Sequence, residues 1–393
     1  MKIIILVRIL WTAGAQKIAI KEAQTLTAMG HEVQLVFLRS TDSGKNLQSE
    51  LDKVRYKIFA DVTYSPKRIY STITGIFAPD RKNDGTVDYD LIKKFAASIK
   101  PDACDYIICH DQWAGVAGLK LKKKYGIPYS VYIHEQIGDK YEIPIIGYLA
   151  RRTELKVLQN ATLALGVTPK VAASVKENFS VKCTADLPGM DLAKFYPFES
   201  KENVLLASAT WDRDRDPGDY LNIIDLLPDF KLFIVGRWRS IAERDNFKQL
   251  ISSRRLSKKV SFIDSIAESE MSELYAKAKF LLRFGKNEAG VGTSTVESIS
   301  HLTPVIVSSL GISDLIKNYG GGFILYDKNP SKAAKLIEEN NKKEIYDKLQ
   351  SDLKRITSFY SWKRHSKLLI NTLTDEESND LTSSVASMHG DFQ

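Results

Sequence analysis

Cysteine is scarce in this 393-residue chain: Cys104, Cys109 and Cys183 are the whole complement. An odd count without metal-ligand spacing excludes a disulfide framework and a zinc site, and it fits a reducing cytoplasm. The three read as small buried hydrophobes. Long apolar runs are missing too, because no stretch approaches the roughly 20 residues that cross a bilayer. The opening MKIIILVRIL is a short β-rich run carrying Arg8 and lacking a small-residue cleavage site, so it predicts a first buried strand and not a signal peptide. No recognised nucleic-acid motif is present, and no nucleic-acid partner is expected.

What remains is a chain of 44% apolar and 26% charged residues, the composition of a soluble globular protein long enough for two domains. Its net charge is +8, and residues 1–200 hold 28 Lys plus Arg against 21 Asp plus Glu, while the rest holds 28 against 27. The excess therefore sits in the first half, in clusters at Lys53 to Lys57, Lys67 to Arg68, Arg81 to Lys82, Lys120 to Lys124 and Arg151 to Arg152. Any one cluster reads as a solvated helix face. Together they suit an anionic membrane face or a phosphate-bearing acceptor, as expected of a cytoplasmic protein able to associate peripherally with a membrane.

The first half alternates short apolar runs with amphipathic ones, the pattern of a parallel sheet covered on both faces. Strands are predicted near Ile3, Glu32, Tyr106, Tyr129 and Leu163, with helices near Gln16, Asp90, Gly115 and Lys170. Between Asp42 and Asp88 the pattern weakens to loops and some helix. After Tyr196-Pro197-Phe198-Glu199-Ser200-Lys201, which reads as an interdomain linker, a second alternation begins. Its strands are predicted near Val204, Lys231, Val260, Phe280, Pro304 and Gly322, and its helices near Gly218, Ile241, Glu268, Thr295 and Ser331. Two such sheets imply two Rossmann-like domains, whose ligands bind at the carboxyl ends of the strands. Beyond Glu344 a helical stretch runs through Tyr360, Trp362 and Arg364 toward Leu373, and the Ser-rich, acidic residues 375–393 predict a mobile tail.

The most informative segment is NEAGVGTSTVESISHLTPVIVS, Asn287 to Ser308. Gly290, Val291 and Gly292 form a turn that lets the backbone approach a ligand, and Thr293, Ser294 and Thr295 fall where a helix would start. Unpaired N–H groups and the positive end of a helix dipole favour a diphosphate there. Glu297, one or two turns in, can accept hydrogen bonds from vicinal ribose hydroxyls. A plain capped helix followed by a buried strand fits the spacing as well.

This segment resembles the donor-site signature of retaining glycosyltransferases of family 4, in which a Glu, a Gly-containing turn and a second Glu eight residues later precede a Thr-Pro-Val-Ile strand. Gly292, Glu297 and Thr303-Pro304-Val305-Ile306 match it. The first Glu does not, since counting back eight from Glu297 reaches Ala289. Either the turn carries one extra residue and Glu288 still reaches the sugar, or that contact is lost; the insertion is the reading adopted here. The resemblance implies the GT-B architecture, two Rossmann-like α/β domains with parallel sheets facing across a cleft. Residues 1–198 would bind the acceptor and 199–358 the nucleotide-sugar, with 359–374 a helix crossing back to the first domain.

Other matches extend the resemblance along most of the chain. Gly14-Ala15 stands where the family has a Gly-Gly turn near the donor phosphate. His134 matches the His that follows a strand and contacts the donor, through a hydrogen bond it can donate to a sugar hydroxyl or a phosphate oxygen. His110 and Asp111 resemble the start of an acceptor-side loop, although a structural histidine fits that strand end too. In ATWDRDRDPGDYL, Thr210 replaces the family's Arg and Arg215 its Lys, with Arg213 as the alternative cation for the diphosphate. A salt-bridged surface loop is the plainer reading of that alternation. Leu187-Pro188-Gly189-Met190-Asp191 and Phe195 resemble the segment that ends the first domain.

The resemblance thus implies His134, Arg215 and Glu288 as catalytic residues. Gly14, Ala15, Arg213, Gly290 to Thr295 and Glu297 would bind the donor. The implied reaction moves a sugar from a UDP- or GDP-sugar to a glycan or lipid-linked acceptor, with no metal or other cofactor. The alternatives are a catalytically silent nucleotide-sugar or membrane-surface binding subunit and an epimerase on the same fold.

Overall fold

The N-terminal apolar run folds as β1 (Lys2–Leu10), buried on both faces, which is why its sequence shows no polar alternation. The computed structural model describes residues 1–11, 14–40, 44, 47–60, 89–135, 144–212, 215–264, 266–285, 292–308 and 322–371. It divides into two units, Met1–Pro188 with Trp362–Gln393, and Gly189–Ser361.

In the first unit, β1 is joined by β2 (Glu32–Ser40), β3 (Tyr56–Ile58), β4 (Tyr106–His110), β5 (Tyr129–Ile133), β6 (Leu163–Gly166) and β7 (Thr184–Ala185). They form a parallel sheet in the order β3-β2-β1-β4-β5-β6-β7. Its helices are α1 (Gly14–Ala28), α2 (Gln48–Leu51), α3 (Tyr89–Ser98), α4 (Gly115–Tyr125), α5 (Pro144–Asn160) and α6 (Pro169–Phe179). Local chemistry sets the start of α6: Thr168 accepts from the Val171 N–H at 3.2 Å, and Pro169 follows at the first helical position. The sequence pattern missed β3, α5 and β7, and gave α2 only as some helix between Asp42 and Asp88. Both β3 and β7 are edge strands of two or three residues, too short to show a period.

The second unit repeats the plan with β8 (Glu202–Ser208), α7 (Pro217–Asp225), β9 (Lys231–Val235), α8 (Ile241–Ser253), β10 (Val260–Ile263), α9 (Glu268–Lys277) and β11 (Ala278–Arg283). It continues with α10 (Thr293–Ser300), β12 (Val305–Ser308), β13 (Phe323–Tyr326), α11 (Pro330–Asn340) and α12 (Lys343–Phe359). Sheet order is β10-β9-β8-β11-β12-β13, again parallel. Its core gathers Leu205, Trp211, Tyr220, Phe280, Phe284 and Ile306.

Two expected boundaries move. The segment read as a linker before residue 199 belongs to the second unit, because its backbone and side chains are bonded there. Met190 N–H donates to Tyr360 O at 2.6 Å and Ala193 N–H to Ser300 O at 2.9 Å, while the Lys279 ammonium lies 3.1 Å from the Phe198 ring centre. The helical stretch after Glu344 is two helices, the second starting at Trp362 where a returning helix was expected from 359. At Tyr360 the carbonyl accepts from Met190 in place of continuing the helical ladder, and α13 (Trp362–Asn371) starts afresh within the first unit. Residues 375–393 lie outside the described residues.

Candidate active site

In the second unit the strand order reverses between β8 and β11, and in such sheets ligands bind beyond the carboxyl ends at that reversal. Gly292 caps α10 at φ +77°, a conformation that glycine adopts without strain. A Cβ there would stand 3.1 Å from Nε and Nη2 of Arg283, the last residue of β11. The missing side chain thus lets the helix start lie against a buried guanidinium. Thr295 and Val296 N–H groups both turn back to Gly292 O, at 3.1 and 3.2 Å. Those of Thr293 and Ser294 have no partner among the described residues. Ser294 Oγ and Thr295 Oγ1 are buried and without a hydrogen-bond partner among the described residues, and Glu297 follows half-buried in the second turn. Such a helix start is built to receive an anion. Glu288, Gly290 and Val291 lie outside the described residues.

The loop after β8 is held by the loop after β9. Gly236, at φ +121°, leaves room where a Cβ would fall 2.0 Å from Ala209 O. Trp211 N–H donates to Arg237 O at 2.8 Å, and Arg239 N–H donates to Trp211 O at 3.0 Å. Arg215 lies half-buried in a turn closed by its N–H to Asp212 O at 3.1 Å, while Asp212 pairs with Arg239 at 3.4 Å. Arg213 lies outside the described residues. A hollow of about 500 Å³ nearby is lined by Asp212, Asp216, Asp219, Glu243 and Trp238. Its four carboxylates would repel a diphosphate, so the start of α10 is the better anion site.

In the first unit the reversal falls between β1 and β4. Gly14 and Ala15 are already the first residues of α1, two positions earlier than expected, and Gln16 ties that turn to β1 through a 2.8 Å bond to Ile9 O. Asp111, at φ +87°, accepts from Arg8 Nε at 2.6 Å and from the Trp113 and Ala114 N–H groups at 2.8 Å. It therefore caps the approach to α4 and holds Arg8 at the end of β1.

His110 differs from its expected acceptor-side role. It is buried, with Nε2 2.7 Å from Glu22 Oε2 and Nδ1 3.0 Å from His134 Nε2. Both ring nitrogens are engaged, so it positions other groups. The chain of contacts continues inward: Glu22 Oε1 is 2.7 Å from His365 Nε2, and His365 Nδ1 meets Asp186 Oδ2 at 2.5 Å. Asp186 also receives Arg364 at 2.8 Å. Although burial raises a carboxyl's pKa, the two histidines hold Glu22 down at about 2. Burial lowers that of His365, but Asp186 and Glu22 lift it to about 9. His134, half-buried at the end of β5, is pushed down to about 3 by burial and by His110. Among the described residues no three such side chains are arranged to hold a metal.

Arg8, Glu22, Asp186, Arg283 and His365 were not singled out from the sequence. Signals existed: Arg8 and Arg283 interrupt apolar strands, and Glu22 falls on the buried face of α1 between Ile18 and Leu26. His365 shares the buried face of α13 with Trp362 and Leu369.

Residues 12–185 match the family model described as Glycosyltransferase Family 4, and residues 192–357 match that of Glycosyl transferases group 1. A probable sucrose-phosphate synthase of Thermosipho melanesiensis is 22% identical over 92% of this chain and 91% of its own. Among solved structures, Anabaena HepE in complex with UDP and glucose superposes with TM-score 0.71 at 15% identity, covering 95% of this chain and 100% of that one. The sucrose-phosphate synthase of Thermosynechococcus elongatus gives 0.70 at 17%, covering 98% and 100%.

Proposed function

Because the chain belongs to the group 1 glycosyltransferases of GT-B fold, its first half matching the family 4 domain, we propose that it uses a UDP-sugar with retention of configuration. The observation that carries this reading is the start of α10, where Gly292, two N–H groups without a partner among the described residues and buried hydroxyls converge one turn before Glu297. The β-phosphate would sit on those N–H groups, and Glu297 would accept from the ribose hydroxyls. UDP is preferred to GDP because HepE, with the same fold, was solved with UDP.

In this reading the bond between the anomeric carbon and the diphosphate oxygen breaks while the acceptor oxygen bonds to the same face of that carbon. The acceptor proton passes to the departing phosphate oxygen, and the negative charge is offset by helix N–H groups and by Arg215 or Arg213. His134 would meet the donor sugar, and Glu288, displaced by one residue, would do so from the turn before α10. No metal or other cofactor is invoked. The basic first half suits a glycan acceptor on a lipid or another anionic carrier.

A thermal-shift screen against UDP, GDP and their common sugars tests the donor. A ligand at 100 times its Kd should stabilise the chain by about 2.7 kcal/mol. A shift with UDP-sugars and none with GDP-sugars is expected; the reverse would replace the donor. Release of UDP from the stabilising sugar, measured without acceptor, then separates an enzyme from a silent binder.

A further inference from the structure

The imidazoles of the first unit form a wired series, and its wiring fixes which atom His134 offers. His365 has a carboxylate oxygen at each ring nitrogen, Glu22 at 2.7 Å and Asp186 at 2.5 Å, so both nitrogens carry protons and the ring is a cation. Among the described residues, Glu22 and Asp186 are two buried anions, and His365 and Arg364 are cations bonded to them. The cluster is therefore neutral when His110 is neutral, and a further buried charge would be costly.

Neutral His110 places its single proton on Nε2, facing Glu22 Oε2 at 2.7 Å. Its Nδ1 is then an acceptor, and the 3.0 Å contact requires the proton to come from His134 Nε2. The ring planes are 13° apart and the centres 5.1 Å apart. That separation exceeds the nitrogen–nitrogen distance by nearly two ring radii, so the bond lies in the ring planes and is a true N–H···N contact. His134, itself kept neutral by burial, has only one proton to give.

We infer that Glu22, His110 and His365 act as positioning residues that hold His134 in its Nε2–H tautomer, leaving Nδ1 as a hydrogen-bond acceptor for a sugar hydroxyl. This reverses the direction expected from the sequence, in which His134 donates. A neutral Nδ1 lone pair takes a hydroxyl proton and repels a phosphate oxygen, so the group selects the sugar and not the diphosphate. The selection of a sugar rests on the donor reading above; the tautomer does not. The groups in contact with this ring are His110 from β4 and Tyr132 from β5, with Glu22 from α1 bonded behind His110, and His365 from α13 behind Glu22, followed by Asp186 and Arg364.

Long-range ¹H–¹⁵N correlation spectra of the ligand-free, full-length, ¹⁵N-histidine-labelled protein read the tautomer directly, with His134→Gln and His110→Gln assigning the signals. At pH 7, His134 and His110 should each appear as Nε2–H and His365 as doubly protonated. A His134 proton on Nδ1, or a doubly protonated His134, overturns the inference. In His110→Phe, which keeps a ring but removes both nitrogens, His134 should become a mixture of tautomers and titrate nearer the ordinary histidine range; an unchanged tautomer would remove the relay. Should His110→Phe fail to fold, the wild-type spectrum decides by itself. UDP-sugar binding is scored separately, so an Nε2–H His134 in a protein that binds no nucleotide-sugar sinks the donor reading and leaves the relay standing. Nucleotide-sugar binding with an Nδ1–H His134 does the opposite.

Discussion

Single side chains decide what α10 can hold. Replacing Glu297 by Ala should weaken UDP binding by about 10- to 100-fold, because a hydrogen bond to a charged group contributes about 1.5–3 kcal/mol. Isothermal titration checks this, and unchanged affinity would remove the ribose assignment. Gly292→Ala forces a Cβ into φ +77° and against Arg283. It should cost about 1–3 kcal/mol in denaturant unfolding and also lower nucleotide affinity. A loss of stability with full affinity would place the ligand elsewhere. The hydroxyls of Thr293 to Thr295 and the glycine turn were legible in the sequence, since helix starts have a local chemistry. Arg283 was not, because only the return of α10 over the end of β11 brings Gly292 beside it.

Among the elements, α13 is held by polar contacts at long range. His365 and Arg364 reach Asp186, and His365 reaches Glu22, from 343 residues away in the chain. Glu22→Ala leaves a buried imidazolium facing one carboxylate, and should destabilise the first unit by about 3–5 kcal/mol. Thermal unfolding of the full chain would show it, whereas a change under 1 kcal/mol would mean that the histidine simply discharges. Long helices and strands with a clear period, such as α4 and β5, fell where the sequence put them. The break between α12 and α13 falls at Tyr360 and Ser361, close to the expected start of a returning helix at 359, and Tyr360 O there accepts from Met190 N–H, a bond that no local pattern encodes.

For the whole molecule, the buried cluster sets a pH window. His365 has its pKa raised to about 9 from 6.5, so its contribution is full below 6.5 and is lost as pH rises through 9. Glu22 is lowered to about 2 from 4.5, so its contribution is full above 4.5 and is lost as pH falls through 2. His134, lowered to about 3 from 6.5, resists the proton that the unfolded chain takes up below 6.5, so it costs stability there. The three together place the maximum near pH 6.5, and a series of melting curves should fall on both sides of it. The uneven +8 charge makes a second expectation, binding to anionic liposomes that weakens between 0.1 and 1 M salt as the Debye length falls from about 10 to 3 Å. Binding that ignores salt would sink the electrostatic account. Among the described residues no helix is long and apolar enough to cross a membrane.

By itself the sequence determined two parallel α/β sheets, the helix start at Gly292 to Thr295 and the family, because strand period, glycine turns and helix caps are local and repeat along the chain. Only the tertiary structure decided that residues 189–198 serve the second unit, that His110 is an interior wire and that His134 offers an acceptor. Those outcomes depend on which nitrogen faces which oxygen across 88 and 343 residues of separation, and proton positions in a buried cluster follow from its total charge, which no stretch of sequence contains.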